Sequence, residues 1–328
     1  MAEIGRDRIQ IWIRRVILVM VLTTILYLGL AMASGWDAMV SALRRFPVAT
    51  TLPAVLGLVV LGLFLRGLRW HYFVRRMAWD VPFGPSLLAY SASYAFTVTP
   101  GKAGEVVKAG LLRDRYGISM ANVAGVLLTE RLGDLIAVLL LAIGGLSLMP
   151  GSGVYFVACA GIVGFLTAFV LSERLYRGIL GRMGRSPKLA RVSGKVLDLL
   201  GTAKDLLQPA PFFVGLGIAV VSWSLEGLAF YLILQGFGLD VALLNAFSVY
   251  GLATVIGAIS LLPGGVGGFE ISAGLLLKSL GFTAGQVSAP IFLLRVSTLW
   301  FTNLLGFVFL AMWFWQDRRR IRQDKVPT

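Results

Sequence analysis

Apolar residues in this chain arrive in long unbroken blocks, without the strict alternation of half-buried strands or the one-sided stripe of a soluble amphipathic helix. Blocks at about 16–33, 52–73, 121–148, 153–172, 211–235 and 287–315 each approach the roughly 20 apolar residues that a membrane-crossing helix needs. They predict six spanning helices. The first block also has the basic start (Arg6, Arg8, Arg14, Arg15) and the Ala31-Met32-Ala33 end of a cleaved signal peptide, but the span count works best if it stays. Two further apolar stretches, about 84–112 and 243–281, are interrupted by Pro and Gly. Between 173 and 210 the chain turns polar and basic. Within it Leu189, Val192, Val196, Leu199, Leu200, Ala203, Leu206 and Leu207 fall at helical spacing, which predicts an amphipathic helix. It either lies on anionic lipid at the interface or packs on the cytoplasmic loops, and the interfacial placement is preferred.

Composition narrows this to an all-α integral membrane protein with one transmembrane domain over 1–328. Hydrophobic residues make up 57% of the 328 and charged residues 14%, against about 25% charged in soluble domains. A soluble globule, a disordered chain and a disulfide scaffold are excluded. One Cys and one His rule out an intrachain disulfide and leave a Cys/His zinc site without ligands, so neither metal nor cofactor is expected. The net charge of +14 flanks the apolar blocks, where it reports topology and contact with anionic headgroups instead of nucleic acid. With a cytoplasmic N-terminus and alternating spans, the basic segments 1–15, 66–76, 102–115, 173–204 and 318–325 all fall on the cytoplasmic side, as the positive-inside rule requires. Both termini are then cytoplasmic. The outer loops hold chiefly Arg44, Arg45 and Lys278. This works only if each broken stretch enters and leaves on one side, as a re-entrant helical hairpin. The alternative is that each contains a full crossing.

The two broken stretches resemble each other. Thr99-Pro100-Gly101-Lys102-Ala103-Gly104-Glu105 leads to Ala109-Gly110-Leu111-Leu112, and Leu262-Pro263-Gly264-Gly265-Val266-Gly267-Gly268-Phe269-Glu270 leads to Ala273-Gly274-Leu275-Leu276. Span, span, hairpin, span then occurs twice with opposite orientation, in halves of about 16–148 and 153–316; this is the pattern of inverted-repeat transporters. Pro ends one half-helix and Gly permits the reversal. The next half-helix points free N–H groups at the membrane interior, where they suit an anion.

Charges inside spans are costly and are functional candidates by default. The third span carries Glu130, Arg131 and Asp134, the fifth Glu226 and the sixth Arg295; the hairpins add Lys102, Glu105, Lys108 and Glu270. Arg131 stands three residues before Asp134 and can pair with it. Arg295 has no acid within a helical turn. Its partner comes from another helix, with Glu226 and Glu270 available, or from a ligand. The candidate binding set is Gly101, Lys102, Gly104, Glu105, Glu130, Arg131, Asp134, Glu226, Gly264, Gly265, Gly267, Glu270 and Arg295. No catalytic residue is assigned.

Residues 97–105, 129–134 (Thr-Glu-Arg-Leu-Gly-Asp) and 261–270, with Arg295, Thr298 and Trp300, together resemble the lysylphosphatidylglycerol synthase transmembrane, or flippase-like domain, family. The resemblance runs in order along nearly the whole chain. It implies a protein that moves a lipid between leaflets, with no enzymatic activity of its own. Only a short basic tail follows the last block, so the resemblance implies a stand-alone member without the aminoacyl-transferase domain. The expected partners are membrane lipids, anionic phospholipid or polyprenyl-phosphate-linked sugar, with self-association left open, and the expected location is the bacterial cytoplasmic membrane. In this reading Arg295→Ala abolishes transport and leaves folding intact. The rivals are a secondary transporter of a small soluble anion, a membrane-embedded transferase, and a non-transporting partner or regulator. Glycines 264, 265, 267 and 268 lack the Gly-Lys-Ser/Thr ending of a nucleotide-binding loop.

Overall fold

The computed structural model describes residues 36–99, 105–143, 152–183, 187–260 and 262–323. The described residues form helices joined by short turns, as expected for an all-α membrane protein. In order they are α1 (Trp36–Arg45), α2 (Val48–Arg76), α3 (Phe83–Ser93), α4 (Val107–Tyr116), α5 (Met120–Ala142), α6 (Ser152–Leu171), α7 (Glu173–Met183), α8 (Pro187–Leu206), α9 (Pro209–Gly236), α10 (Leu243–Ile259), α11 (Gly268–Ser279), α12 (Ala284–Arg295) and α13 (Phe301–Gln323). A π-helical turn, Val296–Trp300, joins α12 to α13.

Three stretches among the described residues are long and apolar enough to cross a membrane by length and composition: Val48–Arg76, Pro209–Gly236 and Ala284–Arg320. They match the second, fifth and sixth blocks. The third and fourth blocks are the 23-residue α5 and the 20-residue α6; α5 is long enough but carries Glu130, Arg131 and Asp134 in its middle. The first block lies outside the described residues. The interrupted stretches become pairs of short helices. α3 and α4 have 11 and 10 residues, and α10 and α11 have 17 and 12. None reaches the roughly 20 residues of a full crossing.

Helices α2 and α9 pack along one another in opposite directions. Phe46, just before α2, lies against Gly236 at the end of α9; Gly62 faces the Ser222 carbonyl; Phe73 near the end of α2 lies on Gly215 near the start of α9. The partner number falls as the α2 number rises, which is antiparallel packing. The facing residues Arg66 and Glu226 are 160 positions apart. The same spacing carries the end of α2 (Arg76) onto the end of α9 (Gly236) and the start of α3 (Phe83) onto the start of α10 (Leu243). It also carries Gly67 onto Gly227, Asp80-Val81 onto Asp240-Val241 and Tyr90 onto Tyr250. Past the breaks the spacing grows by four residues. It then relates the left-handed Gly117 and Gly281, the N-caps Ser119 and Thr283, and Arg131 and Arg295.

The short helix pairs pack on long helices far away in sequence. A Cβ on Gly306 of α13 would lie 2.1 Å from the Ala95 nitrogen just after α3, and a Cβ on Gly251 of α10 would lie 2.8 Å from the Ala142 nitrogen of α5. Glycine at these two positions is what lets the backbones approach.

Helix α8 packs on protein along the second half of its apolar face. Leu200, Ala203, Leu206 and Leu207 are buried, and α8 presses on α5 so closely that a Cβ on Gly125 would stand 2.4 Å from the Leu199 carbonyl. Protein, not lipid, covers this end of the apolar face. Val192, one turn or more upstream, is exposed.

Candidate functional site

A cavity of about 380 Å³ lies among helices distant in sequence. Its walls come from α2 (Leu63, Arg66), α5 (Arg131, Asp134, Leu135, Val138), α9 (Trp223, Glu226), α10 (Tyr250, Thr254, Val255) and the α12–α13 junction (Arg295, Thr298, Thr302). The two chain breaks close it from either side, one with Thr97 and Thr99, the other with Leu262, Gly264 and Gly265.

Spanning helices can carry charge only where the charges are paired, and the pairing here is extensive. Among the described residues around the cavity and behind it, five cations (Arg66, Arg69, Lys108, Arg131, Arg295) meet five acids (Glu105, Glu130, Asp134, Glu226, Glu270). Arg66 pairs with Glu226, whose other oxygen accepts the Tyr250 hydroxyl, and the Arg66 guanidinium sits 4.5 Å from the Trp223 ring. Asp134 accepts from Arg69 at 2.8 Å and from the Trp223 indole at 3.2 Å. Arg131 donates to Glu105 at 2.8 Å and stands 3.3 Å from Asp134. Lys108 donates to Glu130 at 2.8 Å between the rings of Trp70 and Tyr90. Arg295 pairs with Glu270 at 2.7 Å, donates to the Gly264 carbonyl, and stacks on Phe269.

Glu270 fixes the second break. Its carboxylate accepts from the Gly267 N–H at the start of α11, so the positive end of that helix already holds an anion. Gly264, Gly265 and Gly267 all have positive φ, which only glycine adopts without strain. Arg295 ties both features together by gripping Glu270 and the Gly264 carbonyl at once. Arg131 and Glu105 make the corresponding link in the first half.

Among the described residues the lining carries three guanidinium groups (Arg66, Arg131, Arg295) against two carboxylates (Asp134, Glu226), while Glu105, Glu130 and Glu270 stand behind them. The surface a ligand meets is therefore weakly cationic. Thr97, Thr254, Thr298 and Thr302 donate their hydroxyls to carbonyls of their own helical turns.

Of the residues singled out in the sequence, Arg131, Asp134, Glu226, Gly264, Gly265 and Arg295 line this cavity. Glu105, Gly267 and Glu270 lie one contact behind it, and Glu130 pairs with Lys108 away from it. Gly101, Lys102 and Gly104 lie outside the described residues. The Arg131–Asp134 pair forms, but each member has a shorter contact elsewhere. Sequence reasoning missed Arg66, Arg69, Tyr94, Trp223 and Tyr250. It assigned Arg66 and Arg69 to the basic end of a span. Both are buried, and only Arg75 and Arg76 at that end are exposed. The missed signal was the recurrence 160 residues on, where Glu226-Gly227 stands for Arg66-Gly67.

Comparisons with known proteins agree with this architecture. A protein of Methanothermobacter thermautotrophicus described as a UPF0104 membrane protein is 28% identical over 291 residues, covering 81% of this chain and 86% of its own length. A second protein of the same description and organism is 25% identical over 273 residues, covering 75% of this chain and 78% of its own. The phosphatidylglycerol lysyltransferase of Bacillus subtilis is 32% identical over 101 residues, which is 31% of this chain and 12% of that protein. The family described as the lysylphosphatidylglycerol synthase TM region matches residues 12–306. With buried ion pairs set among apolar spans along that match, this integral membrane protein belongs to the lysylphosphatidylglycerol synthase transmembrane-region family.

Proposed function

We propose that this protein is a lipid flippase or scramblase that carries a phosphate-bearing headgroup through the central cavity between two inverted halves. The observation that carries the proposal is the antiparallel contact of α2 with α9, in which Arg66 meets Glu226 at the corresponding position of the other half. Antiparallel packing of helices at corresponding positions supports a two-fold relation between halves of opposite orientation, about 16–148 and 153–316. A site between halves so related is equally placed toward both leaflets, so rocking one half against the other would expose it alternately.

The chemistry of the cavity supports a headgroup as cargo. Arginine suits phosphate geometrically, and Leu63, Leu135, Val138, Val255 and Leu299 give the same cavity an apolar wall for the first carbons of a lipid. The name of the Bacillus relative, a lysyltransferase of phosphatidylglycerol, points to the same lipid class. In this reading the short helix pairs are re-entrant hairpins, the termini face the cytoplasm, and the membrane is the bacterial cytoplasmic one. The chain acts as a transporter, not an enzyme.

The test is leaflet exchange in proteoliposomes, following dithionite-quenchable labelled phosphatidylglycerol in parallel with uptake of radioactive phosphate. Exchange of label above protein-free vesicles supports the proposal. Phosphate uptake without lipid exchange would replace it with a soluble-anion transporter.

A further inference from the structure

The three cavity arginines are not equivalent in what they have left to offer. Arg295 spends Nε on Glu270 and Nη2 on the Gly264 carbonyl. Arg131 spends Nη2 on Glu105 and turns Nη1 to Asp134. Arg66 uses Nη1 for Glu226, and among the described residues its Nε and Nη2 have no hydrogen-bond partner although the residue is only 7% exposed. Those two nitrogens form one edge of the guanidinium, with parallel N–H donors that match two oxygens of a phosphate; both are buried in this conformation, so a phosphate reaches them as the cavity wall moves. The Trp223 ring backs the group and Arg66 lines the cavity wall.

We infer that Arg66 is the phosphate-binding group of this cavity, that Glu226 with Tyr250 takes a hydrogen-bond donor carried by the same headgroup, and that Arg295 positions the second chain break without holding ligand. This rests on the lipid-transport reading and deepens it. A phosphate seated on the Nε–Nη2 edge competes with Glu226 for the same cation. Glu226 then keeps Tyr250 and gains most from a ligand that brings an N–H or O–H of its own. A headgroup with a phosphate and a donor, such as a primary ammonium or a hydroxyl, is favoured over a phosphate with none.

The test measures binding to the purified full chain in detergent with three probes: dihexanoyl phosphatidylethanolamine, dihexanoyl phosphatidylcholine and inorganic phosphate. The two lipids carry the same net charge and differ in their N–H donors. The ethanolamine lipid is expected to bind about tenfold or more tighter than the choline lipid, in line with charge-assisted hydrogen bonding. Arg66→Lys keeps the charge facing Glu226 and loses the planar fork, so affinity for both lipids falls about tenfold or more. If that variant does not fold, the neutral pair Arg66→Gln with Glu226→Gln takes its place. Arg295→Lys is expected to lower the melting temperature, since it weakens the grip on Glu270 and the Gly264 carbonyl. Wild-type binding unchanged by Arg66→Lys overturns the inference and leaves the lipid reading standing. Equal binding of the two lipids overturns the role given to Glu226. Inorganic phosphate binding more tightly than either lipid overturns the lipid source while keeping Arg66 as the anion site. No binding of any probe overturns both.

Discussion

Lys108 illustrates how a single residue is held when water is absent. It is fully buried, with Glu130 as its ion partner and Trp70 and Tyr90 as its walls. Removing one member of a buried pair strands the other and costs about 3–5 kcal/mol, whereas replacing both with apolar groups is often close to neutral. Lys108→Met should therefore destabilise strongly, and adding Glu130→Leu should recover most of the loss, as read by chemical denaturation in detergent. Arg295 calls for a different expectation from the one its sequence context suggests. Its grip on Glu270 and Gly264 means that Arg295→Ala should loosen residues 262–272, seen as faster amide exchange there, so a loss of transport in that variant would not by itself identify a ligand contact. What sequence alone could say of such residues was their placement in apolar surroundings. Which acid met which base depended on helix packing, and so Arg66 and Arg69 read as a span end.

At the level of elements, the apolar blocks and the two interruptions were legible because length, Pro and Gly act locally. The boundaries of α2, α5, α6 and α9 follow from them. The placement of α8 was not legible, because an amphipathic face looks the same whether lipid or protein covers it; Gly125 on α5, which admits the α8 backbone, was the informative residue. Close backbone approach also joins the short helix pairs to long helices elsewhere in the chain. Gly251→Leu and Gly306→Leu should each destabilise by about 1–3 kcal/mol or more through overpacking, with a lowered melting temperature as the measure. Outside the spans, α7 is tied to α8 by Glu173 and Lys204. The hydrogen bond to Lys204, then Arg177, holds Glu173 below its ordinary value of 4.5. The same bond raises Lys204 above its ordinary 10.5. Glu173 thus contributes above its ordinary value and loses its contribution as pH falls through the lowered one. Lys204 contributes below its ordinary value and loses its contribution as pH rises through the raised one. Hydrogen exchange across 173–206 should be protected equally between these limits and lose protection beyond them in the wild type, whereas Glu173→Gln, which removes the pair at every pH, should show the lower protection throughout.

For the whole molecule, the recurring separation of 160 residues is the organising fact. It was only half visible in the sequence: the glycine motifs and the Ala-Gly-Leu-Leu pieces announced a repeat, but its register across α2 and α9 rests on small matches such as Asp80-Val81 and Asp240-Val241 that gain meaning once the helices are seen side by side. The symmetry makes a prediction about charge. Arg66→Glu and Glu226→Arg should each place like charges together and destabilise by about 3–5 kcal/mol. The double exchange restores an opposite pair at corresponding positions and should recover most of that loss, giving a coupling of about 2 kcal/mol or more in a double-mutant cycle.

The same pair bears on assembly. Were either half to associate with an identical copy of itself through this contact, position 66 would face position 66, or position 226 would face position 226, setting guanidinium against guanidinium or carboxylate against carboxylate. Neither half can serve as its own mate. Opposite signs at the two corresponding positions suit a pairing of unlike segments. Co-expressed as separate polypeptides, the halves should recognise each other and refuse themselves.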